Sequence, residues 1–302
     1  MPSIFTPLVN QVIRLTVRNI IHPDSDLESQ RARAEKLDRI VGWLDHGFVR
    51  QNVTLTGELP AQYIKTPVSQ PDRILLWLHG GGFCIRSPNL HGRQLARICQ
   101  GTRATGFMPD YRLAPKHPYP AAYDDSWTAY NYLIESGCKP ESMVVAGDSA
   151  GGTLTLALLL RLRDKGMPMP ACAVMLSPSL DPTLSGDSAK ENANIDSMLS
   201  IEGIQAFTQA YMPGMDFSDP RINLLEADYH GLPPLLFQVG SIEILRDDSV
   251  RAAEKAKADG VQAKLQVWEG MPHVFQAIEF LLEARQAVGD IVSFINMNLS
   301  GE

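Results

Sequence analysis

Apolar runs alternate with amphipathic stretches along most of this chain. Short, mostly apolar runs, which are typical of strands buried on both faces, occur at residues 73–78, 103–108, 143–147, 171–176, 235–239 and 262–268. Stretches compatible with helices lie between or after them, at residues 90–100, 121–136, 153–163, 247–258 and 274–296. This alternation predicts an α/β protein with a mostly parallel sheet and helices on both of its faces.

Residues 1–46 follow a different pattern. Apolar residues recur at helical spacing up to residue 21, and His22-Pro23 should end that helix. Residues 29–46 predict a second, more charged helix. Because both helices precede the first strand, we interpret them as a cap over a site, with a solvated arm as the alternative. Residues 48–56 and 61–66 then predict an antiparallel pair of edge strands.

Residues 181–229 interrupt the alternation between two predicted strands. The segment is too long for a simple crossover, and long excursions inside a compact domain are usually functional. It predicts one helix near residues 201–211, and we interpret it as a cap insertion, with a mobile excursion that does not contact the site as the alternative. The predicted division of the chain is cap helices (1–46), core (47–180), cap insertion (181–229) and core (230–302).

Composition narrows the class of protein. The chain has 302 residues, 44% of them hydrophobic and 20% charged, which suffices for one large α/β domain or two small ones. A net charge of -7 without a basic cluster argues against nucleic acid as a partner. Its four cysteines are too far apart for a Cys-x-x-Cys site, and a large core needs no disulfides, so we expect a reducing, cytoplasmic location. A signal peptide is not evident, and the longest apolar run, residues 154–160, is too short for membrane insertion.

A predicted strand leads into a predicted helix through Gly147-Asp148-Ser149-Ala150-Gly151. In a sharp strand-to-helix turn the middle residue takes a strained backbone conformation, and small residues on either side leave room for it. The turn would expose the Ser149 hydroxyl above the sheet, with a helix N-terminus behind it. The flanking strand and helix favour a nucleophilic serine over an ordinary turn of glycine and serine.

A glycine-rich turn, His79-Gly80-Gly81-Gly82, follows a buried strand. Adjacent glycines let backbone N–H groups turn toward a ligand, and a tetrahedral intermediate needs two or three such donors at its oxygen. The N–H groups of Gly81, Gly82 and Ala150 are the predicted oxyanion hole. A phosphate-binding loop is the alternative, but neither of its glycine signatures is present. We interpret His79 as structural.

The base is expected among the histidines after the nucleophile, because the chain order in this topology is serine, acid, histidine. His230 precedes a strand, at the wrong end of the sheet. His273 follows the last predicted strand, at the carboxyl edge where α/β sheets place ligands, and is the predicted base. The acid that holds its imidazole should lie in the loop after residues 235–239. We predict Glu243. Asp247 is the alternative, but it would open the next helix, where acids often serve as caps.

Five segments of the sequence together resemble those of a known protein family. They are His79-Gly80-Gly81-Gly82-Phe83, Asp110-Tyr111-Arg112-Leu113-Ala114-Pro115, His117-Pro118-Tyr119-Pro120-Ala121-Ala122, Gly147-Asp148-Ser149-Ala150-Gly151-Gly152 and the turn that contains His273. Together they resemble the bacterial hormone-sensitive-lipase-like (family IV) esterases of the α/β-hydrolase superfamily. The resemblance implies an α/β-hydrolase fold with a helical cap from the N-terminus and an insertion. It also implies that Asp110 and Arg112 brace the glycine loop, and that the enzyme uses no metal or organic cofactor.

The residues and the resemblance imply a serine carboxylesterase. Ser149 would attack an ester carbonyl, His273 would take and return the proton, and water would release the acyl group. The expected substrate is a small-molecule ester with a short- to medium-chain acyl group, because the sequence shows no large exposed apolar surface. The alternatives are a thioesterase, lactonase or amidase with the same residues, and a non-catalytic ligand-binding relative.

Two expectations follow from how this chain compares with that family. The family usually has Asp where this chain has Glu243, and some members are similar to this chain in using Glu. The longer side chain must still reach His273. By resemblance, the last strand, residues 262–268, would lie at the edge of the sheet and pair with its copy in a homodimer. The alternative is a monomer whose edge is guarded by Lys264.

Overall fold

The structure is a computed structural model that describes residues 3–18, 26–43 and 47–299. Its strands are β1 (Val49–Thr54), β2 (Pro60–Lys65), β3 (Gln70–Leu78), β4 (Ala104–Pro109), β5 (Met143–Asp148), β6 (Cys172–Leu176), β7 (Leu235–Gly240) and β8 (Ala263–Trp268). They form one sheet in the order β1-β2-β4-β3-β5-β6-β7-β8. β2 is antiparallel to both of its neighbours and the other pairs are parallel, so the predicted mostly parallel sheet is confirmed.

Helices connect most of these strands. They are α1 (Thr6–Thr16), α2 (Leu27–Gly42), α3 (Pro88–Thr102), α4 (Ala121–Glu135), α5 (Ala150–Asp164), α6 (Asp187–Glu191), α7 (Ile201–Tyr211), α8 (Arg246–Ala258) and α9 (Leu282–Asn298). α7 confirms the helix predicted within the insertion, which also contains the short helix α6, not predicted from the sequence. The N-cap of α2 is Asp26, which accepts a hydrogen bond from the Ser29 backbone N–H at 2.8 Å and so satisfies one of the free donors of the first turn.

Alternate residues of the central strand β3 face two helical layers. Leu75 and Trp77 share an apolar cluster with side chains of α3 and α9. Leu76 and Leu78 share another with side chains of α4 and α5. All four are fully buried, which explains why this strand is a continuous apolar run in the sequence. The parallel strands end at one edge of the sheet, and the loops that carry the predicted site residues start there.

One predicted boundary and one predicted strand position are wrong. The last helix begins at Leu282 and not at residue 274, because Val274 has φ of 49°, in the left-handed region, and a 3₁₀ turn at Phe275–Ala277 follows it. β2 is not an edge strand, since it pairs with β4 as well as β1. β8 does lie at an edge, and its pairing with a second copy of the chain stays a prediction.

The two N-terminal helices are shorter than predicted within the described ranges. The proposed stop at His22-Pro23 and the end of the second predicted helix, at residues 44–46, lie outside the described residues. Among the described helices, none combines the length and apolar composition that a bilayer crossing requires. All four cysteines are free thiols.

The outer face of α1 is apolar. Phe5, Leu8, Val12 and Leu15 expose between 52% and 65% of their surface, and their helical spacing places them on one stripe. This stripe was not predicted from the sequence, in which no large exposed apolar surface is evident. Acyl-chain length has to be argued from the cavity and not from the surface.

Candidate active site

Ser149 occupies a sharp turn between β5 and α5. Its φ of 51° and ψ of -122° are strained for a residue with a side chain. The turn packs tightly on the end of β3, so that a β-carbon at Gly147 or Gly151 would collide with the Leu78 carbonyl oxygen. The Ser149 backbone N–H donates to the Leu176 carbonyl at 2.7 Å. The two glycines are thus required by close backbone approach, and the geometry is that of a nucleophile turn.

His273 and Glu243 form a buried pair opposite this turn. The His273 Nδ1 atom lies 2.7 Å from Oε2 of Glu243, and the two residues are 4% and 0% exposed. Burial lowers the pKa of His273, but the charge of Glu243 and its hydrogen bond outweigh burial, and the pKa is raised overall. The carboxylate therefore fixes the orientation of the imidazole and stabilises its protonated form.

A serine that the sequence analysis missed completes this pair. Ser177, directly after β6, donates from Oγ to Glu243 Oε1 at 2.8 Å and accepts from the Val274 backbone N–H at 3.2 Å. The backbone N–H of Gly240 also donates to Oε1. These contacts tie the acid to the residue after the histidine, which allows the longer glutamate side chain to sit in a fixed position. No motif marks Ser177, because its role depends on three loops that meet only in the fold.

The alternative acid, Asp247, lies elsewhere. Its Oδ2 atom accepts from the Ser188 backbone N–H at 2.8 Å, and its Oδ1 atom accepts from Arg246 at 2.9 Å. Asp247 thus links the start of α8 to α6 in the insertion. The structure brings Glu243, and not Asp247, to His273.

Ser149 and His273 line one cavity of about 490 Å³. Its other walls come from the glycine loop, α1, α2, the insertion and the loop after residue 273, and they are mostly apolar. The side chains that the two N-terminal helices and the insertion contribute include Ile13, Val17, Leu37, Ile40, Val41, Met198, Leu199, Ile204 and Phe207. The insertion therefore contacts the site, which excludes the alternative of an unattached excursion. The domain division at residues 46, 180 and 229 stays a prediction.

The glycine loop lies beside the nucleophile turn. Gly81 and Gly82 have φ of 111° and 60°, values that favour glycine, and both line the cavity with Ser149 and Ala150. The Ala150 N–H is in the first turn of α5, where no intrahelical acceptor exists. The three residues that carry the predicted donors thus line the same cavity, and their role as an oxyanion hole stays a prediction.

The residue that braces the glycine loop most directly is not one of the two that the resemblance implied. Tyr111 braces the loop, since its hydroxyl donates to the His79 carbonyl at 2.6 Å and its ring stacks on the His79 ring at 4.0 Å. Arg112 instead pairs with Asp125 of α4, and Asp110 pairs with Arg86, farther along the same connection between β3 and α3. The prediction that Arg112 braces the loop is therefore wrong, whereas Asp110 does contact the connection between β3 and α3, through Arg86. His79 is structural as predicted: it is buried and bonds through Nδ1 to the Gly80 carbonyl.

The insertion holds the acid loop. Asp196 accepts from the Ile244 backbone N–H at 2.9 Å, and also from two N–H groups of its own loop. Asn192 donates to the Glu243 carbonyl at 2.7 Å. Burial raises the pKa of Asp196, and the charge of nearby Glu243 adds to this. Neither residue could be recognised from the sequence, because polar residues in a long loop are ordinarily solvated.

α1 bridges the insertion and the histidine turn. Asn10 donates to the Gly270 carbonyl at 3.0 Å, in the turn before His273. Arg14 donates to the Asn194 carbonyl at 2.7 Å, and Arg18, just past the end of α1, donates to the Asp196 carbonyl at 2.9 Å. One helix thus contacts both loops on which the acid and the base depend.

Potential metal ligands lie away from this cavity. Within the described ranges, Asp228, His230 and Asp259 bring ligand atoms within 4.8 Å of one another. They precede β7 or follow α8, on the amino-end side of the sheet. His230, the histidine rejected as base, is exposed and bonded to Asp228.

Comparisons with known proteins agree with this geometry. A family profile described as an alpha/beta hydrolase fold matches residues 75–277. An esterase of Acinetobacter venetianus is 40% identical over 224 residues, which cover 74% of each chain. An acetyl-hydrolase of Streptomyces hygroscopicus is 33% identical, over 93% of this chain and 92% of its own.

Solved structures extend the likeness to the whole fold. The crystal structure of an esterase from the bacterial hormone-sensitive lipase family has 35% sequence identity and a TM-score of 0.91, and the match covers 99% of this chain and 100% of that one. The predicted α/β-hydrolase fold is confirmed, and the protein is a carboxylic ester hydrolase. The chain belongs to the hormone-sensitive-lipase-like esterases of the α/β-hydrolase superfamily.

Proposed function

We propose that the protein hydrolyses esters through an acyl-enzyme on Ser149, with His273 as general base and acid and Glu243 as the orienting carboxylate. The observation that carries this proposal is the hydrogen bond between His273 Nδ1 and Glu243. It leaves Nε2 as the nitrogen available to a serine in the same cavity.

The reaction would proceed in two halves. His273 accepts the Ser149 proton as Oγ attacks the ester carbonyl, and then gives that proton to the leaving alcohol. His273 next takes a proton from water, which attacks the acyl-enzyme, and returns that proton to Ser149 Oγ as the bond between Oγ and the acyl group breaks and the acid leaves. In both halves the developing oxyanion would receive hydrogen bonds from the N–H groups of Gly81, Gly82 and Ala150. Each such donor is worth about 2.7–4 kcal/mol of barrier in related chemistry.

The covalent step is tested by labelling. We expect a fluorophosphonate to modify one serine per chain, because its phosphoryl centre imitates the tetrahedral intermediate. Peptide mapping should identify Ser149, and the Ser149→Ala variant should not react. Stoichiometric labelling at another residue, or no loss of labelling in the variant, would contradict the proposal.

We also propose that the substrate carries a short- to medium-chain acyl group. A cavity of about 490 Å³ with apolar walls is at the smaller end of the pockets that enclose small-molecule ligands. Each methylene that it buries contributes about 0.8 kcal/mol, or roughly a fourfold gain in kcat/KM. We expect kcat/KM for p-nitrophenyl esters to rise from acetate toward hexanoate or octanoate and then fall.

A matched variant tests whether the cavity sets the preferred acyl-chain length. Phe207→Ala would enlarge the cavity beside Gly82, so its optimum should move to longer chains. A profile that rises up to palmitate in the unaltered enzyme would show that the cavity does not limit chain length.

A further inference from the structure

Asp148 connects the nucleophile turn to the glycine loop. Its carboxylate is buried, and Oδ1 accepts from the Gly80 backbone N–H at 3.0 Å. A β-carbon at Gly80 would collide with this carboxylate, so the two groups are in direct contact. Asp148 immediately precedes Ser149, while Gly80 immediately precedes Gly81. A single carboxylate thus fixes the distance between the nucleophile and the predicted oxyanion donors.

His91 completes a second histidine–carboxylate pair. It lies in α3, and its Nε2 atom is 3.4 Å from Asp148 Oδ2. Its side chain is buried, yet it lines the catalytic cavity and also a second cavity of about 120 Å³ behind the glycine loop. His91 thus forms part of the wall between them. The proposed reaction does not use this pair.

We propose that His91 and Asp148 are positioning residues, a charged pair that holds the glycine loop against the Ser149 turn and sets the electrostatic potential at His273. This inference rests on the proposed function, since it requires Ser149 and His273 to act as nucleophile and base. It assigns no contact with substrate to either residue.

The surroundings of His91 favour its charged form. The ionisable and charged groups that surround it from the packed elements are Asp148 at the end of β5, Asp38 of α2, His79 after β3, and Arg86 and Asp110 in the loops. Burial lowers the pKa of His91, but the charge of Asp148, its hydrogen bond and the charge of Asp38 outweigh burial and raise it.

The pKa of Asp148 is shifted in the direction expected for a partner of a charged His91. Burial alone would raise the pKa of Asp148, yet the charge and hydrogen bond of His91 lower it below its ordinary value. The neighbouring His79 behaves oppositely. Burial, together with the charge of His91, lowers the pKa of His79 to about 3. The two adjacent rings are 5.4 Å apart, and their surroundings favour the cation at His91 and the neutral form at His79.

The pair also acts on the base through space. His91, Asp148 and His273 line the same cavity. The negative charge of Asp148 is among the causes that raise the pKa of His273, and a cation at His91 would offset that charge. Removing the cation should therefore raise the pKa of His273 further. Removing the anion should lower it. Because ester hydrolysis needs neutral His273, the acidic limb of the kcat/KM profile, which reports the free enzyme, should move in opposite directions in the two variants.

The test compares His91→Gln, Asp148→Asn and the double variant with the control His230→Gln. The control removes a histidine from an exposed histidine–aspartate pair. We expect the acidic limb to rise by about half a pH unit in His91→Gln and to fall by a similar amount in Asp148→Asn, as expected for charges that interact across a partly buried site. In the double variant it should return toward the original value. kcat should fall about tenfold in both single variants, because the oxyanion donors are less well placed.

Several outcomes would overturn the inference. They are an acidic limb in His91→Gln that coincides with that of His230→Gln, shifts of the same sign in both single variants, or a double variant that shows no compensation. Fluorophosphonate titration counts the folded sites in each variant, so misfolding cannot imitate a shift in the profile. Failure of the unaltered enzyme to label at Ser149 would instead reject the proposed function.

Discussion

Replacing Ser149 by alanine is expected to lower kcat for p-nitrophenyl butyrate by about 10⁶-fold, the loss seen when a triad nucleophile is removed. The variant should fold, because alanine adds no atoms to a turn whose backbone is already held by the Leu176 carbonyl. The measurement is steady-state hydrolysis with thermal unfolding as a check of the fold.

The matched control for this variant is Ser179→Ala. Ser179 lines the same cavity but does not occupy the strained turn between β5 and α5. We expect its kcat to stay within a few-fold of the unaltered enzyme. Hydrolysis by Ser149→Ala at a rate close to that of Ser179→Ala would mean that another group attacks the ester.

Glu243→Gln should produce the second-largest loss, about 10⁴-fold in kcat, as found when the triad carboxylate is made neutral. The amide keeps the shape of the side chain, but it no longer stabilises protonated His273, and its N–H₂ group can turn the imidazole to the wrong tautomer. The variant is measured beside Asp247→Asn, which changes a carboxylate that faces Ser188 and Arg246.

The two acids are then compared directly. Asp247→Asn should cost a few-fold at most, because its effect on His273 passes through the start of α8. If Asp247→Asn is the more damaging change while both variants unfold at the temperature of the unaltered enzyme, the acid has been assigned to the wrong residue.

Much of this fold could be predicted from the local pattern of apolar and polar residues. β3 and β5 to β7 are buried on both faces and therefore appear as apolar runs, and helices fill the intervals between them. The nucleophile turn could be predicted because its requirement for small residues at 147 and 151 is local. The position of His273 followed from chain order and from the end of a strand, which are also properties of the sequence.

Contacts made only by the tertiary fold could not be predicted in this way. Glu243 and Asp247 are four residues apart in one loop, and only the positions of Ser177 and the insertion decide which reaches the histidine. The bracing role of Tyr111 could not be predicted, because the family resemblance pointed to its two charged neighbours and nothing in a sequence marks a buried hydroxyl that bonds to a distant carbonyl. The start of α9 was missed because the left-handed backbone at Val274 is imposed by its surroundings.

The hydrogen bonds of α1 have a consequence for redesign of the enzyme. Exchanging the N-terminal segment for that of a relative is an obvious way to alter substrate preference, since Ile13 and Val17 face the cavity. The same segment supplies Asn10 and Arg18. These two residues hydrogen-bond to the turn before His273 and to the insertion loop that holds Glu243. A graft of the N-terminal segment alone, without residues 192–199, would therefore change turnover as well as substrate selectivity. A chimera that transfers the N-terminal segment together with residues 192–199 would keep the hydrogen bonds between them.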